Sequence, residues 1–218
     1  MTKGIKVIRC TLLQKKLLAT FLKNYSINLI LHPEKYQFLS QMNMTSSDGK
    51  CHTFGVGGDG YVPGEGVGAV LLKSLSKAIE DKDHIYGVIK STSVNHGGRA
   101  SGITVPNPNA QAELIQFAIE KSKINPRAIS YVEAHGTGTS LGDPIEITGL
   151  TKALNKYTKD KKFCSIGSIK SNIGHLEAAA GISALTKVLL QMKYKKLVSS
   201  LHSEELNPNI DFGNSPFY

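Results

Sequence analysis

The stretch of sequence that decides the fold covers residues 131–146 and reads YVEAHGTGTSLGDPIE. Its apolar start predicts a short strand over residues 130–133, and the glycines that follow allow a tight loop that a ligand can approach closely. Asp143 is a favoured helix N-cap, followed by a proline at the first helical position and an acid where the helix dipole favours one. The stretch therefore predicts a strand, a loop carrying His135, and a helix over residues 144–155.

A second stretch, SIKSNIGHLEAAAG over residues 168–181, places His175 at the start of a long predicted helix (175–193). The dipole at a helix N-terminus favours a neutral imidazole, which can donate one N–H hydrogen bond. Two such donors, His135 and His175, facing one carbonyl oxygen would stabilise an enolate. The residues alone leave a second interpretation open, in which both are satisfied structural histidines and Lys170 is a solvated loop lysine.

Helices and strands alternate along most of the chain. The apolar pattern predicts helices over residues 33–44, 75–81 and 109–122, and strands over residues 66–72, 85–95 and 163–167. Strands that alternate with helices of this length need crossover connections, so we expect an α/β fold with a largely parallel sheet covered on both faces. The strand over residues 66–72 is expected to be buried, because it is almost wholly apolar.

The net charge of +9 does not indicate a nucleic-acid partner, because most of it lies at the N-terminus. Six of the 26 Lys and Arg side chains lie in residues 1–27, which hold no Asp or Glu, so the remaining chain carries 20 basic against 17 acidic side chains. Residues 1–27 are therefore treated as an atypical basic segment, separate from residues 28–218. Apolar residues from Leu13 to Tyr25 recur in it at helical spacing, and an organelle transit peptide is the alternative interpretation.

The three cysteines are scattered and odd in number, so they do not form a disulfide framework. None lies in a Cys-x-x-Cys pattern, and no metal site is predicted. No apolar run reaches the length of a membrane span. These features predict a cytoplasmic protein without a membrane partner.

Residues 28–218 resemble the β-ketoacyl synthase (ketosynthase) domain of bacterial modular polyketide synthases. The resemblance rests on residues 59–61, 64–66, 95–98, 133–146, 170–181 and 206–212. It implies a thiolase-like α/β fold of layered mixed sheet and helices, of which this chain would hold the second half and part of the first. The implied reaction is acyl transfer by decarboxylative Claisen condensation on carrier-bound thioesters.

The resemblance also implies partners and residue roles. The family works as a ketosynthase homodimer with an acyl carrier protein, and its substrates are carried on the phosphopantetheine of that carrier, so no directly bound cofactor is expected. His135 and His175 correspond to the two catalytic histidines, and Lys170 corresponds to the active-site lysine. Thr137 and Thr139 correspond to residues lining the phosphopantetheine tunnel. Asn172, two residues after Lys170, is also predicted to bind substrate.

The sequence departs from the family pattern at both ends. The family nucleophile lies in an Asp-Thr-Ala-Cys-Ser-Ser pattern upstream of the matching region, and this chain contains no such pattern. Cys10 stands close to residue 28 and lacks the small-residue elbow that a nucleophile needs. The closing Gly-rich segment with its Thr-Asn-Ala-His pattern is also missing. We therefore expect an incomplete domain, truncated at both ends by a truncated gene or a shifted reading frame.

Three interpretations of function follow from these expectations. The chain is expected to be inactive in condensation, because the covalent acyl acceptor is missing. A non-catalytic interaction partner of a complete ketosynthase or acyl carrier protein is the alternative. Residual decarboxylation of a malonyl thioester by His135 and His175 is the third.

Overall fold

The computed structural model describes residues 22–98, 100, 102 and 105–218. Its strands are β1 (Leu22–Asn28), β2 (Gly66–Leu72), β3 (Tyr131–Glu133) and β4 (Ser165–Gly167). Its helices are α1 (Glu34–Gln41), α2 (Leu75–Glu80), α3 (Pro108–Ser122), α4 (Gly142–Leu154), α5 (Lys170–Ile173) and α6 (Ala180–Tyr194). Short 3₁₀ turns occur at Pro126–Ala128, Glu177–Ala179 and Phe212–Asn214.

Strands β1 and β2 form an antiparallel pair. One face of the pair packs on the 3₁₀ turn at Glu177–Ala179 and on α6, while the other face exposes apolar side chains, including Tyr25 and Val67. The expectation that β2 is a buried strand was therefore wrong, because an antiparallel pair covered on one side buries only alternate residues. The expected helical course up to Tyr25 was also wrong, because that residue pairs with β2.

Residues 1–21 lie outside the described part of the chain. The helical spacing predicted there, the nature of Cys10 and the division between residues 27 and 28 stay predictions. Strand β1 nevertheless begins at Leu22. The last residues of the basic segment therefore belong to the same folded unit as β2.

Strands β3 and β4 form a parallel pair connected through α4. The pairing continues one step further, since Ala134 N–H donates to the Gly167 carbonyl at 2.8 Å. Parallel pairing through a crossover helix was predicted. It is confirmed for β3 and β4, whereas β1 and β2 pair antiparallel. Because parallel strands end at the same edge of a sheet, the loops that follow β3 and β4 emerge side by side.

The main core lies between α3, α4 and the strand pair β3–β4. It contains Ile119 from α3, Leu150 and Leu154 from α4, and Cys164 just before β4. The C-terminal segment closes this core, because Phe217 is fully buried and pairs with Cys164 in a parallel bridge. Residues 206–212 turn back towards this core, to which Ile210 belongs.

The strand predicted over residues 85–95 was wrong. The structure assigns no strand there; Ser91 Oγ donates to the Ala118 carbonyl and Asn95 Nδ2 to the Ala110 carbonyl, which holds the segment along α3. A strand needs a neighbour for its backbone hydrogen bonds, and apolar periodicity does not report whether one exists. The helices predicted over residues 33–44, 75–81 and 109–122 are confirmed, with Asn107 capping α3.

Candidate active site

The two predicted catalytic histidines lie together in the structure. His135 follows β3 by two residues, and His175 lies between α5 and the 3₁₀ turn at Glu177–Ala179. Their ring centroids are 5.2 Å apart, with the ring planes nearly perpendicular at 83°. His135 is exposed and His175 is half-buried, so the pair stands at the molecular surface.

The environment of His175 determines which ring nitrogen carries the hydrogen. Its Nδ1 accepts the Glu177 backbone N–H at 2.8 Å, so the neutral ring carries its hydrogen on Nε2. The Tyr61 ring lies 4.9 Å away, and the backbone of His175 is held by a 2.7 Å hydrogen bond from its N–H to the Val62 carbonyl. The expected place at the N-terminus of α6 was wrong, since α6 begins five residues later at Ala180.

Lys170 is the first residue of α5 and is only 2 % exposed, which excludes the solvated loop lysine. Its Nζ donates to the His135 backbone carbonyl at 2.5 Å. Ser168 Oγ donates to the same carbonyl at 3.2 Å. The predicted lysine therefore contacts the predicted histidine through its main chain. The serine was not singled out from the sequence.

Two acids of α4 hold the loop that carries His135. Glu146 accepts the backbone N–H groups of His135 and Gly136 at 2.7 and 2.8 Å, and Asp143 accepts that of Gly138 at 3.2 Å. The sequence interpretation gave Asp143 a helix-capping role and Glu146 only a favourable interaction with the helix dipole. It was wrong for Asp143, because α4 begins at Gly142 and no side chain caps it. Their spacing of three residues, which puts both on one helix face, was the available signal.

Asp143 is also a buried acid with a strongly shifted pKa. It is 2 % exposed and accepts a second backbone hydrogen bond, from Phe54 N–H at 2.8 Å. Burial raises its pKa from 3.8 to about 7, against the opposing effect of these hydrogen bonds, and the nearby charge of Glu146 adds to the increase.

The glycines predicted to shape the loop do so. Gly136 and Gly138 have φ angles of +45° and +77°, in the left-handed region that favours glycine. A Cβ at Gly136 would lie 2.5 Å from Thr53 Cγ2 and 2.8 Å from Ser168 Cβ. The loop is therefore closely packed beneath the histidine pair.

The predicted substrate-binding residues fall into two groups. Thr137 and Thr139 have their hydroxyls 3.1 Å apart on the loop, and Thr139 Oγ1 also accepts the Gly142 N–H. Asn172 is exposed on α5, two residues after Lys170. Their roles in substrate binding stay predictions.

The two described cysteines are poor nucleophiles. Cys51 and Cys164 are 2 % and 0 % exposed, and neither forms a disulfide. Burial raises the pKa of both thiols, to about 12 for Cys164.

Sequence models of one family match most of the chain. The model described as "Beta-ketoacyl synthase, C-terminal domain" matches residues 86–204, and "Beta-ketoacyl synthase, N-terminal domain" matches residues 26–78. The chain belongs to the β-ketoacyl synthase family. This confirms the resemblance found in the sequence.

Several bacterial polyketide synthases are similar to this β-ketoacyl synthase chain. Polyketide synthase PksL of Bacillus subtilis is 66 % identical over 191 residues, which cover 88 % of this chain and 4 % of PksL. Polyketide synthase ThaG of Burkholderia thailandensis is 55 % identical over 192 residues, covering 88 % of this chain and 3 % of ThaG. The chain thus corresponds to a small part of these large synthases.

Solved ketosynthases share the fold. An oxazolomycin ketosynthase domain from Streptomyces albus superposes with a TM-score of 0.89 at 51 % identity, over 91 % of this chain and 35 % of that chain. The ketosynthase from module 6 of the bacillaene synthase of Bacillus subtilis gives 0.89 at 45 % identity, over 91 % and 36 %. The fold is therefore thiolase-like, as predicted, and this chain spans about a third of the length of these ketosynthases.

The described residues contain neither a metal-binding cluster nor a membrane-spanning helix. Across residues 22–98 and 105–218, no group of three or more His, Cys, Asp or Glu side chains is arranged to hold a metal ion. In the same part of the chain, no helix combines the length and apolarity needed to cross a membrane.

Proposed function

We propose that this chain forms the carbonyl-activating part of a ketosynthase site and decarboxylates a malonyl thioester. The observation that supports this is the juxtaposition of His135 and His175, with the hydrogen of the latter on Nε2. Two imidazole N–H donors directed at one thioester oxygen match the charge that develops there in the transition state. The substrate is a malonyl unit carried on the phosphopantetheine of an acyl carrier protein.

The chemistry balances without a nucleophile from the protein. The bond between the malonyl α-carbon and its carboxylate breaks, carbon dioxide leaves, and the electron pair forms an enolate with its charge on the thioester oxygen. Water then protonates the α-carbon, which leaves an acetyl thioester on the carrier. The hydrogen bonds from His135 and His175 strengthen as that oxygen becomes negative, so they stabilise the transition state more than the substrate.

The neighbouring residues have supporting roles in this proposal. Lys170 donates a hydrogen bond to the His135 carbonyl, and Glu146 accepts one from the His135 N–H. Together they fix the backbone from which the His135 ring extends. Thr137 and Thr139 present hydroxyls to the amides of the phosphopantetheine arm. Asn172, on the exposed side of α5, contacts the same arm near the surface.

Condensation needs a further group. The complete family reaction transfers an acyl chain to a cysteine before the enolate attacks it, and this sequence contains no Asp-Thr-Ala-Cys-Ser-Ser pattern. Cys51 and Cys164 are buried thiols with raised pKa values, so neither replaces it. We therefore infer decarboxylation without carbon–carbon bond formation for this chain.

The test is carbon dioxide release from malonyl carrier protein by the purified chain. We expect His175→Ala and His135→Ala each to lower the rate about 100-fold, the typical cost of one lost oxyanion donor. His84→Ala is the matched control, because His84 is an exposed histidine that contacts the nearby Tyr86 ring in a T-shaped arrangement. Equal rates for all three variants would refute the decarboxylation proposal. A β-ketoacyl product from acyl and malonyl carriers would refute the absence of condensation.

The apolar outer face of β1 and β2 favours a second candidate function, a non-catalytic partner of a complete ketosynthase. Tyr25 and Val67 are 77 % and 75 % exposed, and Ile27 and Leu71 lie on the same face at 50 % and 61 %. A contiguous apolar face of this kind is typical of protein–protein contacts. It fits an apolar ketosynthase surface better than an acidic carrier protein.

Size-exclusion chromatography with an intact ketosynthase domain tests this candidate. We expect co-elution with the parent chain and its loss with Val67→Asp. Phe117→Asp, which places the same charge at an exposed apolar residue of α3, should keep co-elution. Separate elution of the parent chain would exclude the partner role.

A further inference from the structure

A buried ionic cluster lies directly behind the histidine pair. Glu133, on β3, is 1 % exposed, and Lys187, on α6, is 6 % exposed. Lys187 Nζ lies 2.9 Å from Glu133 Oε2, as an ion pair rather than an aligned hydrogen bond. The same Oε2 accepts the Tyr131 hydroxyl. Lys187 also lies 5.6 Å above the Tyr131 ring.

The other carboxylate oxygen of Glu133 reaches the segment that carries Lys170. Oε1 accepts the Ile169 backbone N–H at 2.7 Å, one residue before Lys170. Glu133 itself precedes His135 by two residues, and Lys187 belongs to the helix that follows His175. One carboxylate therefore connects the three segments that carry the candidate catalytic residues.

Glu133 and Lys187 are both needed in this cluster, because each neutralises the buried charge of the other. Tyr131 O–H and Ile169 N–H both donate to Glu133, and only a carboxylate accepts from both on separate oxygens while facing an ammonium group. A carboxylate buried in this way is costly unless a counter-charge accompanies it, and an ammonium left alone there is equally costly. Lys187 supplies that counter-charge from α6.

We propose that Glu133 is a positioning residue for the His135–His175 pair, and that Lys187 serves as its buried counter-charge. The catalytic meaning of this role rests on the proposed decarboxylation. Glu133 fixes the position of the Ile169 backbone and therefore that of the adjacent Lys170. Lys170 in turn donates to the His135 carbonyl, so that the two imidazoles keep their edge-to-face contact. The role goes beyond core stability, because it acts on the orientation of two rings outside the cluster.

The experiment compares two charge-free double variants by NMR of the chain with isotope-labelled histidine. In Glu133→Gln/Lys187→Met, the amide oxygen still accepts the Ile169 N–H. In Glu133→Leu/Lys187→Met, that acceptor is lost. The net charge of the chain and the approximate size of side chain 133 are the same as in the Gln/Met variant. The readout is the set of ring cross-peaks of His135 and His175 and the nuclear Overhauser effect between their rings.

We expect the Gln/Met variant to keep the inter-ring effect and the Leu/Met variant to lose it, with both histidine cross-peaks displaced. The cross-peak of His84, an exposed histidine that contacts Tyr86, should be unchanged in both. Glu120→Gln, which breaks the exposed ion pair with Lys156, should leave all cross-peaks in place. Identical histidine spectra for the two folded double variants would overturn the proposal.

Single variants add a second test. Glu133→Gln and Lys187→Met each leave one buried charge without its partner, so both should unfold at lower urea than the Gln/Met double variant. A double variant no more stable than both singles would overturn the counter-charge role. None of these measurements needs turnover, so a chain without decarboxylase activity would refute the proposed function and leave this test intact.

Discussion

Asp143 should make the stability of this chain depend on pH in the direction opposite to an ordinary salt-bridged acid. Its pKa is raised from 3.8 to about 7, mainly by burial. Between these values the folded chain binds a proton that the unfolded chain has released, so the free energy of unfolding falls as pH rises. The stabilisation is complete below about pH 4 and is lost progressively up to about pH 7. At about 1.4 kcal/mol per pKa unit, the total is about 4 kcal/mol.

The substitution Asp143→Asn isolates this contribution. The asparagine oxygen can still accept the N–H groups of Phe54 and Gly138, but it does not ionise. Urea unfolding followed by circular dichroism at pH 4, 5.5, 7 and 8 gives the free energy of unfolding for both chains. We expect the parent chain to lose up to about 4 kcal/mol relative to the variant as pH rises from 4 to 7.

The test lies in how the difference in free energy of unfolding between the parent chain and the variant changes with pH. If the backbone hydrogen bonds outweighed burial, the carboxylate would be stabilised and the parent chain would gain stability over the variant as pH rises. Parallel pH profiles would show that Asp143 does not titrate in this range. Asp211→Asn serves as a control of opposite sign, because hydrogen bonds from Asn214 lower the pKa of that exposed acid.

Three further predictions follow from the same contacts. Glu146→Gln replaces one of two charge-assisted acceptors at the His135 loop with an amide N–H donor, and should slow carbon dioxide release about tenfold or more; an unchanged rate would contradict this. Cys51 and Cys164 should resist iodoacetamide at pH 8 until the chain is denatured, as mass spectrometry of peptides can measure; rapid labelling of the native chain would contradict their burial. Phe217→Ala should lower the free energy of unfolding by about 3–5 kcal/mol, and a loss below about 1 kcal/mol would show that the C-terminal segment does not close the core.

Much of the fold was predictable because its signals are local. The strand–loop–helix order around His135, the helix α3, and the parallel pairing of β3 and β4 all follow from periodicity and connection length. The meeting of His135 and His175 also follows once both loops leave adjacent parallel strands at the same edge.

Other features could not be predicted, because they depend on partners distant in sequence. Residues 85–95 have the apolar pattern of a strand, yet the structure gives them no strand partner and anchors them to α3 through side chains. In isolation Asp143 looks like a helix cap and Glu146 like an acid favoured by the helix dipole, and only the packing of the His135 loop against α4 shows that they bind that loop.

The sequence by itself determined the family, the strand–loop–helix order around His135 and the residue types of the candidate site, because each depends on short-range pattern or motif. The tertiary structure alone decided that Lys170 is buried against the His135 carbonyl, and that Glu133 is paired with Lys187 across more than fifty residues of chain. The physical reason is that a buried polar group must find its partner wherever packing places one, and sequence distance carries no information about that place.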